Sequence, residues 1–251
     1  VRLDVFLAPS ELTSAALDGR VVAVIDVLRA TTTIAAALHA GARTVFPFVE
    51  TEDAVRTARQ YERGEVTLAG ERHMVAIPGF DLGNSPLEFT PARVGKQTVM
   101  LTTTNGTKAL LAAEAARTVL VASYANFAVT RACLEEALAA GQDLALVCAS
   151  SEGMPSLEDS ACAGRFVEAL CTTNPSLRVN DAAQMCQMLS ARYGDDLAAL
   201  FDAAEHGRAL HAAGFDDDLR ACASLDRYPV LAEYRDRAIV VRSAGVPSAG
   251  A

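Results

Sequence analysis

Short runs of β-branched and aliphatic residues alternate along the chain with longer alanine-rich stretches whose apolar positions recur every three or four residues. Apolar runs of roughly four to eight residues between turn signals read as strands buried on both faces, and the longer period reads as helix. The pattern predicts strands over 21–25, 44–48, 66–69, 98–101, 118–122, 144–148 and 239–241. It predicts helices over 33–39, 51–61, 108–115, 127–139, 159–171, 181–189 and 195–204. Gly41 and Gly141 stand where a C-cap glycine would end two of them. Such alternation is that of an α/β domain, with a mostly parallel sheet covered on both sides. No linker divides the chain, so a single domain over 1–251 is expected.

One stretch, 70–97, fits neither pattern and is rich in Gly, Pro, Asn and Ser. Structureless loops beyond about 12–15 residues are uncommon in compact domains and usually functional or disordered. With Glu71, Arg72, Phe80 and Leu82 to pack and bind with, it reads as an ordered site loop. The small, polar tail 244–251 reads as frayed.

Four polar clusters interrupt the pattern, and three directly follow strands. The first is Asp26-Val27-Leu28-Arg29-Ala30-Thr31-Thr32-Thr33. The second is Gly70-Glu71-Arg72, extended by Gly79-Phe80-Asp81-Leu82-Gly83-Asn84-Ser85-Pro86. The third is Thr102-Thr103-Thr104-Asn105-Gly106-Thr107-Lys108, and the fourth is Ser156-Leu157-Glu158-Asp159-Ser160. Ligands of open α/β sheets bind outside the carboxyl ends of strands, so distant clusters can share a site. Asp26, Glu71, Asp81, Glu158 and Asp159 offer hard oxygens suited to Mg²⁺. Arg29, Arg72 and Lys108 offer cationic donors, and a guanidinium grips phosphate or sulfonate through two parallel bonds. The threonines, with Asn105, Gly106 and Thr107, lie at a strand-to-helix turn that favours an anion.

Each cluster alone has an ordinary reading. Asp26 suits an N-cap, Thr31–Thr33 a helix start, and Thr104-Asn105-Gly106 a turn. Glu158-Asp159 suits a helix dipole, and Glu71-Arg72 a surface ion pair. Four together favour a site in which acids hold a metal and bases hold an anion, as phosphoryl chemistry requires.

Composition narrows the choice. The 251 residues carry 22 Lys+Arg against 31 Asp+Glu, a net charge of −9, which argues against a nucleic-acid or polybasic membrane binder. Hydrophobic residues make up 51%, which excludes disorder. The six cysteines form no C-x-x-C and no Cys-x5-Arg loop, and read as buried thiols in a reducing compartment. No P-loop or G-x-G-x-x-G is present, and Leu28 stands where a haloacid-dehalogenase motif needs a second Asp. His206 and His211 read as solvated helix residues, and His73, beside Arg72, is the histidine closest to a candidate cluster. The charged N-terminal run is not that of a signal peptide, and a cytoplasmic location is expected.

These motifs, the Gly79-Phe80-Asp81 loop and the Thr104-Asn105-Gly106 turn above all, resemble the 2-phosphosulfolactate phosphatase family from Asp26 to the Asp226-Arg227-Tyr228-Pro229 region. The resemblance implies a Mg²⁺-dependent phosphatase that hydrolyses 2-phospho-3-sulfolactate to 3-sulfolactate and phosphate, a step toward coenzyme M. It also implies a three-layer α/β/α fold with a mixed sheet. On this reading Asp26, Glu71, Glu158 and Asp159 are the metal-ligand candidates, and Asp26 and Asp81 the candidates for nucleophile or base. Arg29, Thr31, Thr32, Arg72, Asn84, Ser85, Thr103, Thr104, Asn105, Gly106, Thr107 and Lys108 are the candidates for binding the substrate's anionic groups. A non-catalytic anion binder and a phospho-acid isomerase or lyase remain open on the same residues, and a homodimer is compatible with them.

Overall fold

Val21, Ala23 and Ile25 enter one hydrophobic core while Val22 and Val24 enter another, so this strand is buried on both faces. The same alternation holds for Leu144, Leu146 and Cys148 against Ala145 and Val147. Period-two burial on both sides is what a central strand of a helix-covered sheet requires. The structure is a computed structural model and describes residues 1–62 and 64–242. The expected frayed tail, 244–251, lies outside them.

Eleven strands form the sheet: β1 (Arg2–Phe6), β2 (Val21–Ile25), β3 (Thr44–Phe48), β4 (Val66–Arg72), β5 (Val75–Ala76), β6 (Thr98–Thr102), β7 (Thr118–Ala122), β8 (Leu144–Cys148), β9 (Arg178–Val179), β10 (Ala232–Arg235) and β11 (Ala238–Val241). Their order is β5-β4-β6-β3-β11-β10-β7-β2-β8-β1-β9. Two parallel blocks, β4-β6-β3 and β7-β2-β8-β1-β9, are joined by the antiparallel hairpin β10–β11. Helices cover both faces, giving the three-layer α/β/α arrangement with a mixed, mostly parallel sheet. Helices Phe127–Ala139, Leu157–Thr173 and Asp181–Tyr193 bury one side of the β1, β2 and β8 region. Ala30–His39 and Gly106–Ala112 fill the other side, and Thr51–Ala58 packs on Phe46, Phe48 and Met100.

Turns beyond two well-separated strands come together. β6 and β2 stand five places apart in the order, about 24 Å in a flat sheet at the usual strand spacing. Yet a Cβ added at Gly106, just beyond β6, would lie 2.7 Å from Asp26 Oδ2, just beyond β2. Helices Ala30–His39 and Gly106–Ala112 pack on each other and on strands of both blocks, which brings the two turns together.

All seven expected strands and all seven expected helices are present, with ends shifted by a few residues. Gly41 and Gly141 have positive φ, as C-terminal helix stops do. The stretch 70–97 is ordered, as expected, but is not without secondary structure. It finishes β4, forms β5, and contains a 3-10 turn at Pro86–Glu88 and a helical turn at Pro91–Val94. Among the described residues no helix is long and apolar enough to cross a membrane.

Candidate active site

β2 ends in a turn that its own side chains close. The Asp26 carboxylate accepts the Ala30 N–H at 3.0 Å, and the Thr31 hydroxyl donates to the Asp26 carbonyl at 2.7 Å. Thr32 donates to the Val27 carbonyl at 2.9 Å and Thr33 to the Asn84 carbonyl at 2.9 Å. Thr31 and Thr32 are therefore buried struts that aim Asp26 and Arg29 and face no cavity themselves.

A second segment arrives from the far end of the chain. Asp159, in the first turn of Leu157–Thr173, accepts the Val27 N–H at 2.8 Å and the Ser156 hydroxyl at 2.7 Å. This puts Asp26, Glu158 and Asp159 in one buried neighbourhood. Burial first, and then the Asp159 charge, raises Asp26 to about 8. Burial and the Glu158 charge raise Asp159 likewise, and burial with the Asp26 charge raises Glu158 to about 7. Like charges removed from water resist joint ionisation, so the cluster holds protons unless a cation compensates it.

From the other block, Glu71 at the end of β4 accepts the Thr104 N–H and hydroxyl through Oε1, and the Met74 N–H through Oε2. Thr107 is buried, donating to the Thr103 carbonyl at 3.0 Å while its N–H reaches the Thr103 hydroxyl. Gly106 is required where it is, because a Cβ there would also stand 2.4 Å from that of Ala30.

These segments enclose a cavity of about 140 Å³. Clefts for drug-sized ligands run to roughly 300–1,000 Å³, so this one suits a small molecule. Asp26, Arg29, Glu71, Asn84, Thr103, Thr104 and Asn105 line it. Asn84 Oδ1 is buried with no hydrogen-bond partner. Glu158 lines an adjoining cavity that shares Ser151, Glu152 and His206 with the first.

Besides Thr31 and Thr32, five further candidate residues do not line the cavity. Asp81 is exposed and accepts the Leu68 N–H at 2.9 Å, pinning its loop to β4. Arg72 donates to the Val49 and Glu71 carbonyls, so its guanidinium braces backbone. Lys108 is exposed on the outer side of its helix turn. Ser85 donates to Asp218 at 2.6 Å, and Thr107 serves its own turn. His206, expected to be solvated, instead lines both cavities, because helix Glu205–Ala212 sets it against the Leu28 backbone in the turn after β2. Burial, then the Arg29 charge, lowers its pKa and so disfavours the imidazolium. Its packing was invisible locally, since the helix that carries it has no strand beside it in sequence. His73 lines the cavity, while His211 is exposed and pairs with Asp216.

Among the described residues no three His, Cys, Asp or Glu side chains converge as a ready cage for a metal. The donor chemistry nevertheless fits Mg²⁺, which typically takes one or two carboxylates together with water and substrate oxygens. Asp26 and Glu158 are buried, the Asp26 charge raises Glu158, and Arg29 only partly offsets the burial of Asp26, which is an environment that a hard divalent cation relieves.

A family model described as 2-phosphosulpholactate phosphatase matches residues 6–237. The chain belongs to that family. It is 40% identical over 225 residues to a protein of Symbiobacterium thermophilum, covering 90% of this chain and 95% of that one. Over 229 residues it is 39% identical to a protein of Synechococcus sp. (strain JA-2-3B'a(2-13)), covering 90% and 93%. Over 222 residues it is 31% identical to one of Clostridium botulinum (strain Alaska E43 / Type E3), covering 88% and 92%. All three carry the name probable 2-phosphosulfolactate phosphatase. The family places the chain among phosphoric monoester hydrolases, and the small phosphorylated substrate this implies suits the cavity's size.

Proposed function

We propose that this protein is a Mg²⁺-dependent phosphatase of 2-phospho-3-sulfolactate, or of a similarly small 2-hydroxy-acid phosphate. The observation that carries the reading is the meeting of Asp26 with Arg29, Thr103, Thr104 and Asn105 around one small cavity, with Glu158 and Asp159 behind Asp26. Arg29 and the polar groups of 103–105 bind the anionic oxygens and turn the phosphorus toward Asp26. Asp26 and Glu158, with Asp159 behind them, would hold the cation, which when bound neutralises charge on the transferring group. Asp26 either attacks the phosphorus, breaking its bond to the 2-oxygen of the substrate, which leaves as the hydroxyl on taking up a proton, and water then cleaves the aspartyl phosphate to phosphate; or it takes the proton of a water that displaces the same oxygen directly. Asp159 holds the turn that aims Asp26 through the Val27 N–H. Asp81 is too far out on the surface to share the role.

The test is phosphate release from a panel of 2-phospho acids, with and without EDTA. Release that is fastest with the sulfonate-bearing substrate and stops with EDTA is expected. Phosphate binding without turnover would replace the reading with a sensor, and a rearranged carbon skeleton without phosphate release would replace it with an isomerase or lyase. Borohydride quenching during turnover separates the two roles of Asp26, since reduction of its side chain to that of homoserine marks an aspartyl phosphate and an unmodified Asp26 marks direct attack by water.

A further inference from the structure

Arg29 is held by parts of the chain that no local motif includes. Its side chain is 2% exposed, and Nη1 donates to Asp218 Oδ2 at 2.5 Å across 189 positions. Its guanidinium carbon lies 4.3 Å from the centre of the Phe215 ring. The other oxygen of Asp218 accepts the Ser85 hydroxyl at 2.6 Å, so the carboxylate is itself fixed from the site loop. Arg29 nevertheless lines the cavity, so its fork is divided between Asp218 and the space where substrate sits.

We propose that Asp218 is a positioning residue, which sets the Arg29 guanidinium so that its remaining N–H edge meets the substrate's anion. This rests on the reading of Arg29 as an anion clamp. An unrestrained arginine loses rotamer freedom when it is fixed, whereas a guanidinium already stacked and paired loses little on binding. The arrangement also explains why a buried carboxylate is kept beside a cation meant for an anion. A counter-charge alone would weaken the clamp, while a counter-charge that also sets the plane makes the clamp directional.

The experiment measures inorganic phosphate binding by calorimetry, and KM and kcat, for Asp218→Asn and Asp218→Glu, each alone and in an Arg29→Lys background. Asn keeps the size and removes the charge, and Glu keeps the charge and moves it. Positioning requires both to weaken phosphate binding, by about tenfold, with the loss in KM larger than that in kcat. In the Arg29→Lys background, which lacks the planar fork, neither should add more than about twofold. Tighter phosphate binding in Asp218→Asn with a silent Asp218→Glu would make Asp218 a counter-charge only and overturn the proposal. Equal losses in both backgrounds would make it a structural prop and overturn it as well. Should either variant fail to fold, Ser85→Ala removes one restraint on the Asp218 carboxylate, and must weaken phosphate binding in the wild-type background and not with Arg29→Lys. The same phosphate affinity in Ser85→Ala as in wild type would overturn the proposal. Phosphate binding is independent of turnover, so a wild-type protein that binds phosphate and hydrolyses nothing refutes the proposed function alone.

Discussion

One carboxylate oxygen of Glu71 accepts both the backbone N–H and the hydroxyl of Thr104, at 2.8 and 2.9 Å. The contact ties the end of β4 to the turn after β6 and forms one wall of the cavity. Hydrogen bonds to a charged group contribute more than neutral ones, and Glu71 is buried. Thr104→Val, which deletes the hydroxyl bond and leaves the backbone one, is expected to cost about 1–2 kcal/mol in denaturant unfolding. It should also slow phosphate release, because Thr104 is part of the wall.

Asp26→Asn is expected to lower phosphate release by at least about 100-fold, the lower range for a lost acid–base group. It should leave the melting temperature unchanged or raised. Burial, and then the Asp159 charge, raise Asp26 to about 8, so ionising it in place costs the wild-type fold free energy that a neutral amide never costs. A large drop in melting temperature would show that the Asp26 carboxylate stabilises the fold through its charge, since the amide oxygen of Asn can still accept the Ala30 N–H.

The same shifts set a pH dependence. Asp26 and Asp159 are raised from 3.8 to about 8, so in the folded state they retain protons that the unfolded chain releases above about 4. Their contribution to stability is fully present below that point and is lost as pH rises toward about 8. In EDTA, the melting temperature of the wild type relative to Asp26→Asn should therefore fall between pH 5 and pH 8. Mg²⁺ should reverse the loss, with a larger upward shift at pH 8 than at pH 5, because ligands bind metal once deprotonated. Equal shifts at both pH values would detach the cation from these carboxylates.

Gly106→Ala is expected to be damaging despite its small size. The added methyl would meet the Ala30 Cβ and Asp26 Oδ2 well inside van der Waals contact, and both belong to a closed buried turn. Overpacking of this kind costs about 1–3 kcal/mol, measurable by denaturant unfolding, and here it would also displace Asp26.

Asp81→Asn provides the contrast. Its carboxylate faces solvent and bonds only the Leu68 N–H among the described contacts, a bond the amide oxygen can keep. The turnover number should stay near wild type, with a stability loss below about 1 kcal/mol. A collapse in turnover would move the catalytic carboxylate out of the cavity.

Much of this was written locally. The alternation in Val21–Ile25 and Leu144–Cys148 announces two-sided burial, since each residue's neighbours two places away share its face. The clusters at Asp26, Glu71 and Thr104-Asn105-Gly106 stand out because carboxylates, threonines and glycine interrupt such runs at their ends. β10 escaped notice, because Ala232–Arg235 carries two charges and its hairpin turns at Asp236-Arg237, both at positive φ without a glycine. β1 and the two-residue strands β5 and β9 are too short or too charged to show a period.

The chain's own order of residues thus determined the layers of the fold and the chemistry available at its strand ends. What it left to tertiary structure was which groups remain free. Arg72 and Arg29 are alike in sequence, yet one is consumed by the Val49 and Glu71 carbonyls and the other is aimed into the cavity by Asp218. His206 looked like any helix surface residue until its helix docked over the cavity. The physical reason is range: periodicity reports neighbours a few residues away, whereas the bonds Val27–Asp159 and Arg29–Asp218 span 132 and 189 positions and exist only once the whole chain has folded.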